Sequence, residues 1–333
     1  MAKFQKLALA ALISVVLLIF VGAIVRVSGA GMGCPDWPRC WGCLIPPTSV
    51  EKVDFTKLDL EKFRRKAERA GRDPETITEE TLRDEFNPVH TWTEYVNRLC
   101  SLPVGLFTLA TFIVSFGQIG KGRARVCVAA TTSLVVVLAN AWMGARIVYS
   151  GLKPGIITLH MALALLLVCL LVYTAWRGCD APWRRQFVKT AAGLRWLAVI
   201  LLMVTLAEGV LGSQVRELTD EMARRHGGEA RSEWTAELEG SGLYLVHRSF
   251  SWVIVIGTAA FLAVARSGVV GGLGWLEKGI GALVLALMLM GLVLSQVGVL
   301  PVIQVLHVGT AIILVAALFL WILASMKGRN PSC

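Results

Sequence analysis

Long apolar runs alternate with short polar connections along the chain. The runs lie at about 7–27, 92–116, 126–147, 157–176, 194–214, 243–265, 279–300 and 302–326. Each is near the ~20 residues that an α-helix needs to cross the hydrocarbon core of a bilayer. Inside a bilayer, backbone N–H and C=O groups must be paired within the segment, so runs of this length read as helices. The pattern predicts an all-α polytopic membrane protein with eight transmembrane helices. A longer polar stretch, 28–91, separates the first two runs. Within it, residues 60–83 combine helix-forming side chains with Glu and Lys three or four positions apart. Short helices are expected there, without a hydrophobic core of their own. Residues 215–241 read as a loop of mixed charge. A tight, uncharged turn at Val299-Leu300-Pro301 divides the last two runs.

Charge gives the runs a direction. There are 33 Lys and Arg against 23 Asp and Glu, a formal net charge of +10. The basic residues cluster in alternate connections: Lys121, Arg123 and Arg125; Arg177, Arg184, Arg185 and Lys189; Arg266 and Lys278; Lys327 and Arg329. With the N-terminus inside, all of these fall on the cytoplasmic side, as the positive-inside rule requires. Both termini are then cytoplasmic and the first loop lies outside. This placement excludes a nucleic-acid surface, which would gather its charge on one exposed face. The basic start Met1-Ala2-Lys3-Phe4-Gln5-Lys6 leads into a run without a clear cleavage site, so it reads as a retained first span. No Arg- and Ser-rich leader stands before it, which favours the inner membrane of a bacterium over an organelle.

The chain also repeats itself. Gly22-Ala23-Ile24-Val25-Arg26 matches Gly212-Ser213-Gln214-Val215-Arg216, Tyr95-Val96-Asn97-Arg98 matches Leu245-Val246-His247-Arg248, and Thr158-Leu159-His160 matches Val305-Leu306-His307. The order is the same in both halves, at offsets of about 147 to 190 residues. Two pseudo-symmetric four-helix bundles of the same orientation are expected, over 1–178 (with the outer loop 28–91) and 179–333.

Of 5 histidines, His160, His247 and His307 lie inside apolar runs, each within a turn or two of the outer end. Two imidazoles facing each other across a bundle can fill both axial positions of a haem iron, with the helices as apolar walls. The competing view is a buried histidine bonded to a backbone carbonyl. It weakens when three stand at one depth, two of them on alternate spans of one bundle. Arg98 and Arg248 follow the ring positions directly. They can meet porphyrin propionates or simply reach the interface. Asn97 occupies the place that matches His247 and is a poor iron ligand. His90 is about 10 Å earlier along the helix and would serve only if the chain unwound there. His226 falls in a polar loop. Glu94 shares the face of Asn97 and reads as a base or proton relay, with an ion pair to Arg98, its i+4 neighbour, as the alternative. Glu208, a second carboxylate inside a span, has a structural or a functional role.

Cys34, Cys40 and Cys43 lie in the outer loop, where disulfides persist. Three is an odd number. Cys34–Cys40 would tie down the loop over the first pocket, while Cys40-Trp41-Gly42-Cys43 has the spacing of a redox-active pair. Cys100, Cys127 and Cys169 read as packing residues, and Cys179 and Cys333 as cytoplasmic thiols.

Taken together, the stretch Val25-Arg26-Val27-Ser28-Gly29-Ala30-Gly31-Met32-Gly33-Cys34-Pro35-Asp36-Trp37-Pro38-Arg39-Cys40, the run Glu94-Tyr95-Val96-Asn97-Arg98, and Leu159-His160, His247-Arg248 and Leu306-His307 resemble the heme A synthase family over nearly the whole chain. The resemblance implies oxidation of the C8 methyl of haem O to a formyl group, giving haem A for terminal oxidases. The aldehyde would appear after loss of water from a doubly hydroxylated carbon. It implies a haem b cofactor on His247 and His307. It also implies a substrate haem site at Asn97 and His160 with Arg98 beside it, activity linked to Glu94, and a disulfide between Cys34 and Cys40. Haem O as substrate, membrane lipid, a haem O synthase, oxidase assembly factors and a second copy of the chain are the partners it suggests. A cytochrome-b-like electron carrier or a non-catalytic haem carrier is the competing class. An electron wire would keep both bis-histidine sites, and the asymmetry at Asn97 speaks against it.

Overall fold

The computed structural model describes residues 3–69, 73–152, 155–188, 192–226 and 231–326. Lys189, Lys327, Arg329 and Cys333 lie outside the described residues. Helices account for the architecture, and among the described residues the only β pairings are two isolated bridges, Cys40 with Cys43 and Phe187 with Val269.

Eight helices are long and apolar enough to cross a membrane. They are α1 (Lys3–Val27), α4 (Pro88–Ile119), α5 (Ala124–Tyr149), α6 (Ile156–Arg177), α7 (Ala192–Arg225), α9 (Gly242–Gly268), α10 (Trp275–Gln296) and α11 (Pro301–Ser325). The short α2 (Leu60–Arg69), α3 (Glu79–Glu85) and α8 (Arg231–Gly240) lie between them. The chain is a multi-pass membrane protein. Exposed Ile13, Leu17, Leu138, Trp142, Ile256, Leu285 and Leu289 are in keeping with a lipid-facing exterior.

Helix neighbours close two rings. α1 packs on α4, α4 on α5, α5 on α6 and α6 on α1; α7 packs on α9, α9 on α10, α10 on α11 and α11 on α7. The rings meet along α1, α6, α7 and α11. The main core sits along this seam, with Ala11, Val15, Val168, Leu171, Ala198, Phe261, Ile280, Leu318 and Trp321 buried together. Gly309 of α11 admits the Phe20 ring of α1, since a Cβ there would lie 1.9 Å from the ring. At the polar edge of the seam, Asp220 of α7 takes Arg216 at 2.9 Å and Arg26 of α1 at 3.8 Å, and Thr158 of α6 donates to Glu217 at 3.1 Å.

Three expectations need correction. First, the outer loop does have a core. Cys34, Cys40, Trp41, Val53, Phe55, Leu58, Phe63, Ala67, Ile77 and Leu82 are buried as one cluster. The apolar positions of this stretch are irregularly spaced, so they converge only in three dimensions. The short helices themselves are present, α3 with a capping box between Thr78 and Thr81. Second, 215–241 is not a plain loop. α7 continues through it to Arg225, supported by i,i+4 pairs Arg216–Asp220 and Arg225–Glu221. α8 then folds back, burying Trp234 and Leu238 against Met222, and His226 stacks on Trp234 and contacts Glu237 at 3.0 Å. Third, the seventh span begins at Trp275, so Glu277 and Lys278 are helical. Glu277 is 0 % exposed and accepts from Arg185 Nε at 2.7 Å and Nη2 at 2.8 Å, from Trp321 Nε1 at 2.7 Å and from Gly274 N at 2.9 Å. This carboxylate clamps the α6–α7 connection to the second ring.

Candidate functional site

Each of the four ring positions predicted from sequence faces a glycine on the helix that precedes it in its ring. A Cβ on Gly22 of α1 would lie 3.9 Å from Asn97 Oδ1, and one on Gly212 of α7 would lie 3.1 Å from His247 Cε1. A Cβ on Gly144 of α5 would lie 3.7 Å from His160 Cε1, and one on Gly291 of α10 would lie 3.8 Å from His307 Cε1. At Gly212 the missing side chain makes room for the imidazole, while at the other three glycines a methyl would meet the facing side chain at ordinary contact distance. Gly22 and Gly212 belong to the sequence repeat. Gly144 and Gly291 were missed, although their spacing equals that of His160 and His307. His160, His247 and His307 fall in the second turn of α6, α9 and α11 and Asn97 in the third turn of α4, at the end that carries the outer loop. His247 and His307 lie within electrostatic range of each other.

Polar neighbours differ from ring to ring. Glu208 Oε1 of α7 lies 3.1 Å from His247 Nδ1 and accepts from Ser251 Oγ at 2.7 Å. The His247 contact has hydrogen-bond length without the alignment, so Nδ1 and Glu208 Oε2 are both buried without a bond. His307 Nδ1 is also buried and unpartnered. An amide end of Asn140 of α5 lies 3.1 Å from His160 Nδ1. With Glu208 beside His247 Nδ1 and Asn140 beside His160 Nδ1, these rings fit ligands that would meet a porphyrin iron through the other ring nitrogen.

Over the first ring sits a cover. Cys34 and Cys40 form a disulfide with Cα atoms 4.5 Å apart, as the resemblance implied, and Cys43 is free and exposed. α4 starts at Pro88, with Asn87 Oδ1 capping Val89 N at 2.9 Å and His90 N at 3.1 Å. The helix does not unwind at His90, which leaves that ring well above Asn97. Glu94 is buried, and both its oxygens are engaged. Oε2 accepts from Cys34 N at 2.7 Å and Oε1 from Arg98 Nη2 at 2.5 Å. Arg98 also donates to Cys34 O at 2.8 Å and Arg39 O at 3.0 Å. Its guanidinium is therefore held by the cover. Gly33 packs so closely on α4 that a Cβ would meet His90 O at 2.3 Å. Trp41 Nε1 donates to Gly33 O at 2.8 Å, and Asp36 accepts from Trp41 N and Gly42 N at 2.7 Å each.

A cavity of about 340 Å³ lies inside this cover, lined in part by Trp41, Phe63, Lys66, Glu85, His90 and Thr91. Lys66 donates to Pro35 O at 3.0 Å. Burial pushes its ammonium down to about 8, against the pull of Glu94 and Asp36. Arg248 is exposed and has no hydrogen bond from its side chain among the described residues.

Fold and site together define an all-α multi-pass membrane protein with imidazoles near the starts of α6, α9 and α11, each beside a glycine of the helix that precedes it in its ring. The chain belongs to the COX15-CtaA family of cytochrome oxidase assembly proteins, whose pattern matches residues 5–319. Among its relatives is a protein named heme A synthase from Pelagibacter ubique, 26% identical over 61% of this chain and 58% of that protein. That match spans less than two thirds of the relative. A protein of the same name from Rhizorhabdus wittichii is 24% identical over 91% of this chain and 88% of its own length. A third, from Wolbachia pipientis, is 26% identical over 62% of this chain and 57% of its own length.

Proposed function

We propose that this chain is a heme A synthase that oxidises the C8 methyl of haem O to a formyl group and supplies haem A to terminal oxidases. One observation carries the reading. A helix glycine is paired with a ring position four times, three times with histidine and once with Asn97. Family membership and the names of the relatives agree with it. In this reading 1–178 and 179–333 are pseudo-symmetric four-helix bundles in a bacterial inner membrane, with both termini cytoplasmic. His247 and His307 hold haem b in the second bundle. A haem so ligated transfers single electrons. His160 holds the iron of haem O from one side, and Asn97 leaves the other side without a strong ligand. Arg248 is free to meet a propionate. Arg98 is occupied, so its contribution is to hold the cover above the substrate. Glu94 is the base or proton relay of this reading, and its oxygens also bind the cover and Arg98. A haem O synthase and oxidase assembly factors are the partners that would deliver substrate and take product.

The test is haem extraction from cells that make this chain together with a haem O synthase. Haem A should appear with the intact chain and fall with His160→Ala. Haem b alone with the intact chain would reject the synthase and leave a carrier. In purified protein, His247→Ala or His307→Ala should remove the low-spin haem b spectrum, whereas Asn97→Ala should change iron ligation little.

A further inference from the structure

Glu208 stands in the middle of α7, in an apolar span, with its carboxylate buried. A carboxylate at such depth is costly unless a partner offsets it. Its nearest partners are on α9, where His247 and Ser251 occupy one face four residues apart. On α7, Gly212 follows Glu208 by one turn and opens the gap into which the His247 ring fits. Glycine and carboxylate on one helix thus face serine and histidine on the other.

The same turn before each of the other glycines carries a different side chain. Leu18 precedes Gly22, Asn140 precedes Gly144, and Leu287 precedes Gly291. His160 therefore meets a neutral amide at 3.1 Å, His247 a carboxylate at 3.1 Å, and His307 has a buried Nδ1 with no bond. Only one of the four ring positions is matched to an acid.

We infer that Glu208 is a positioning residue for the resident iron: it accepts the Nδ1–H of His247, fixes the tautomer that leaves Nε2 for the metal, and holds the bound haem at low potential. A small turn of the imidazole about its Cβ–Cγ bond aligns the contact already at 3.1 Å. An imidazole that donates to a carboxylate is a stronger electron donor than one that does not, and it favours the ferric state. Ser251 donates to the same oxygen, so it draws off part of the carboxylate's charge. The haem would thereby be a better reductant, and the carboxylate acts through His247 alone, since among the described residues no acid stands beside His307. This inference rests on the two-histidine haem reading above.

The experiment is a redox titration of the full-length protein purified with its haem, for the wild type, Glu208→Gln and Ser251→Ala. Glu208→Gln should keep the low-spin spectrum and raise the midpoint by at least a tenfold change in the ferric/ferrous equilibrium, about 59 mV for one electron. Ser251→Ala should lower it. A purely structural role would alter haem retention without moving the potential in opposite directions. If Glu208→Gln does not fold, Ser251→Ala decides alone. Potentials unmoved in haem-loaded variants, or moved the same way in both, would overturn the inference only. A wild type without low-spin haem, or one that keeps it after His307→Ala, would overturn the haem reading and the inference with it.

Discussion

Replacing Arg98 by alanine should open the cover over α1, α4, α5 and α6. Its guanidinium binds Glu94 Oε1 at 2.5 Å, Cys34 O at 2.8 Å and Arg39 O at 3.0 Å. Removing it leaves a buried carboxylate with the Cys34 N–H as its remaining hydrogen-bond donor. Breaking a buried ion pair from one side costs about 3–5 kcal/mol. The side chains of Arg98 and Glu94 are 18% and 6% exposed, so the guanidinium keeps some water and the low end applies. About 3 kcal/mol corresponds to a roughly 150-fold larger population of the open cover. The disulfide reports it, because Cys34 is 0 % and Cys40 1 % exposed and a reductant reaches them only through opening. Cys43 is blocked first, a small thiol reductant is added, and newly alkylated Cys34 and Cys40 are followed by mass spectrometry. Arg98→Ala should speed their appearance by roughly 150-fold, or up to the rate of the unfolded chain. The Arg98→Ala, Glu94→Gln double variant should open less than Arg98→Ala, since no uncompensated charge remains. A single variant within fivefold of wild type, or a double variant that opens further, would refute the reasoning.

Three further predictions come from other parts of the molecule. Arg185→Ala should lower the stability of the second ring by about 3 kcal/mol, since Trp321 and Gly274 still solvate Glu277; an unchanged unfolding midpoint in detergent would reject the clamp. Lys66 has its pKa lowered to about 8 from 10.5 by burial, so the folded cover carries a cost that is fully present below pH 8. Between 8 and 10.5 the unfolded chain binds the extra proton, so stability should rise with pH by up to roughly 3 kcal/mol. Lys66→Met should abolish that rise in tryptophan-monitored unfolding; an equal slope in both proteins would count against it. Gly212→Ala sets a methyl 3.1 Å from the His247 ring, whereas Gly291→Ala has 3.8 Å to His307. The first should reduce the haem-to-protein ratio and the second should not; equal loss in both would contradict the geometry.

The eight spans were legible because bilayer thickness imposes a length that apolar runs must meet. Their ends were less so where charge was the guide. Glu277 looks like a loop residue in sequence, yet it is buried because Arg185, distant in the chain, reaches it. α7 overran its expected end because its acid–base pairs at i,i+4 continue the helix beyond the apolar run. Histidine positions and the Asn97 departure could be read from the repeat. Gly144 and Gly291 could not be singled out, since glycine is common in membrane helices and these two acquire meaning from the ring each one faces. Glu94 and Arg98 read as site residues in the sequence, which does not reveal how many partners each side chain already has. The core under the cover was missed for a related reason: Phe55, Phe63, Ile77 and Leu82 follow no single period.

The acid at the seam has a consequence for interchangeability. Arg26 and Arg216 occupy matching places in the repeat, and both reach Asp220. The position matching Asp220 in the first half is Ala30. Two first halves would therefore set arginine against arginine with nothing between them. Two second halves would carry an acid on each side and lack the Phe20 ring that fills the space over Gly309. A chain severed between α6 and α7 should accordingly reassemble as unlike with unlike. Stretches that are alike in sequence are thus unlike at the face where they meet, and neither would stand in for the other.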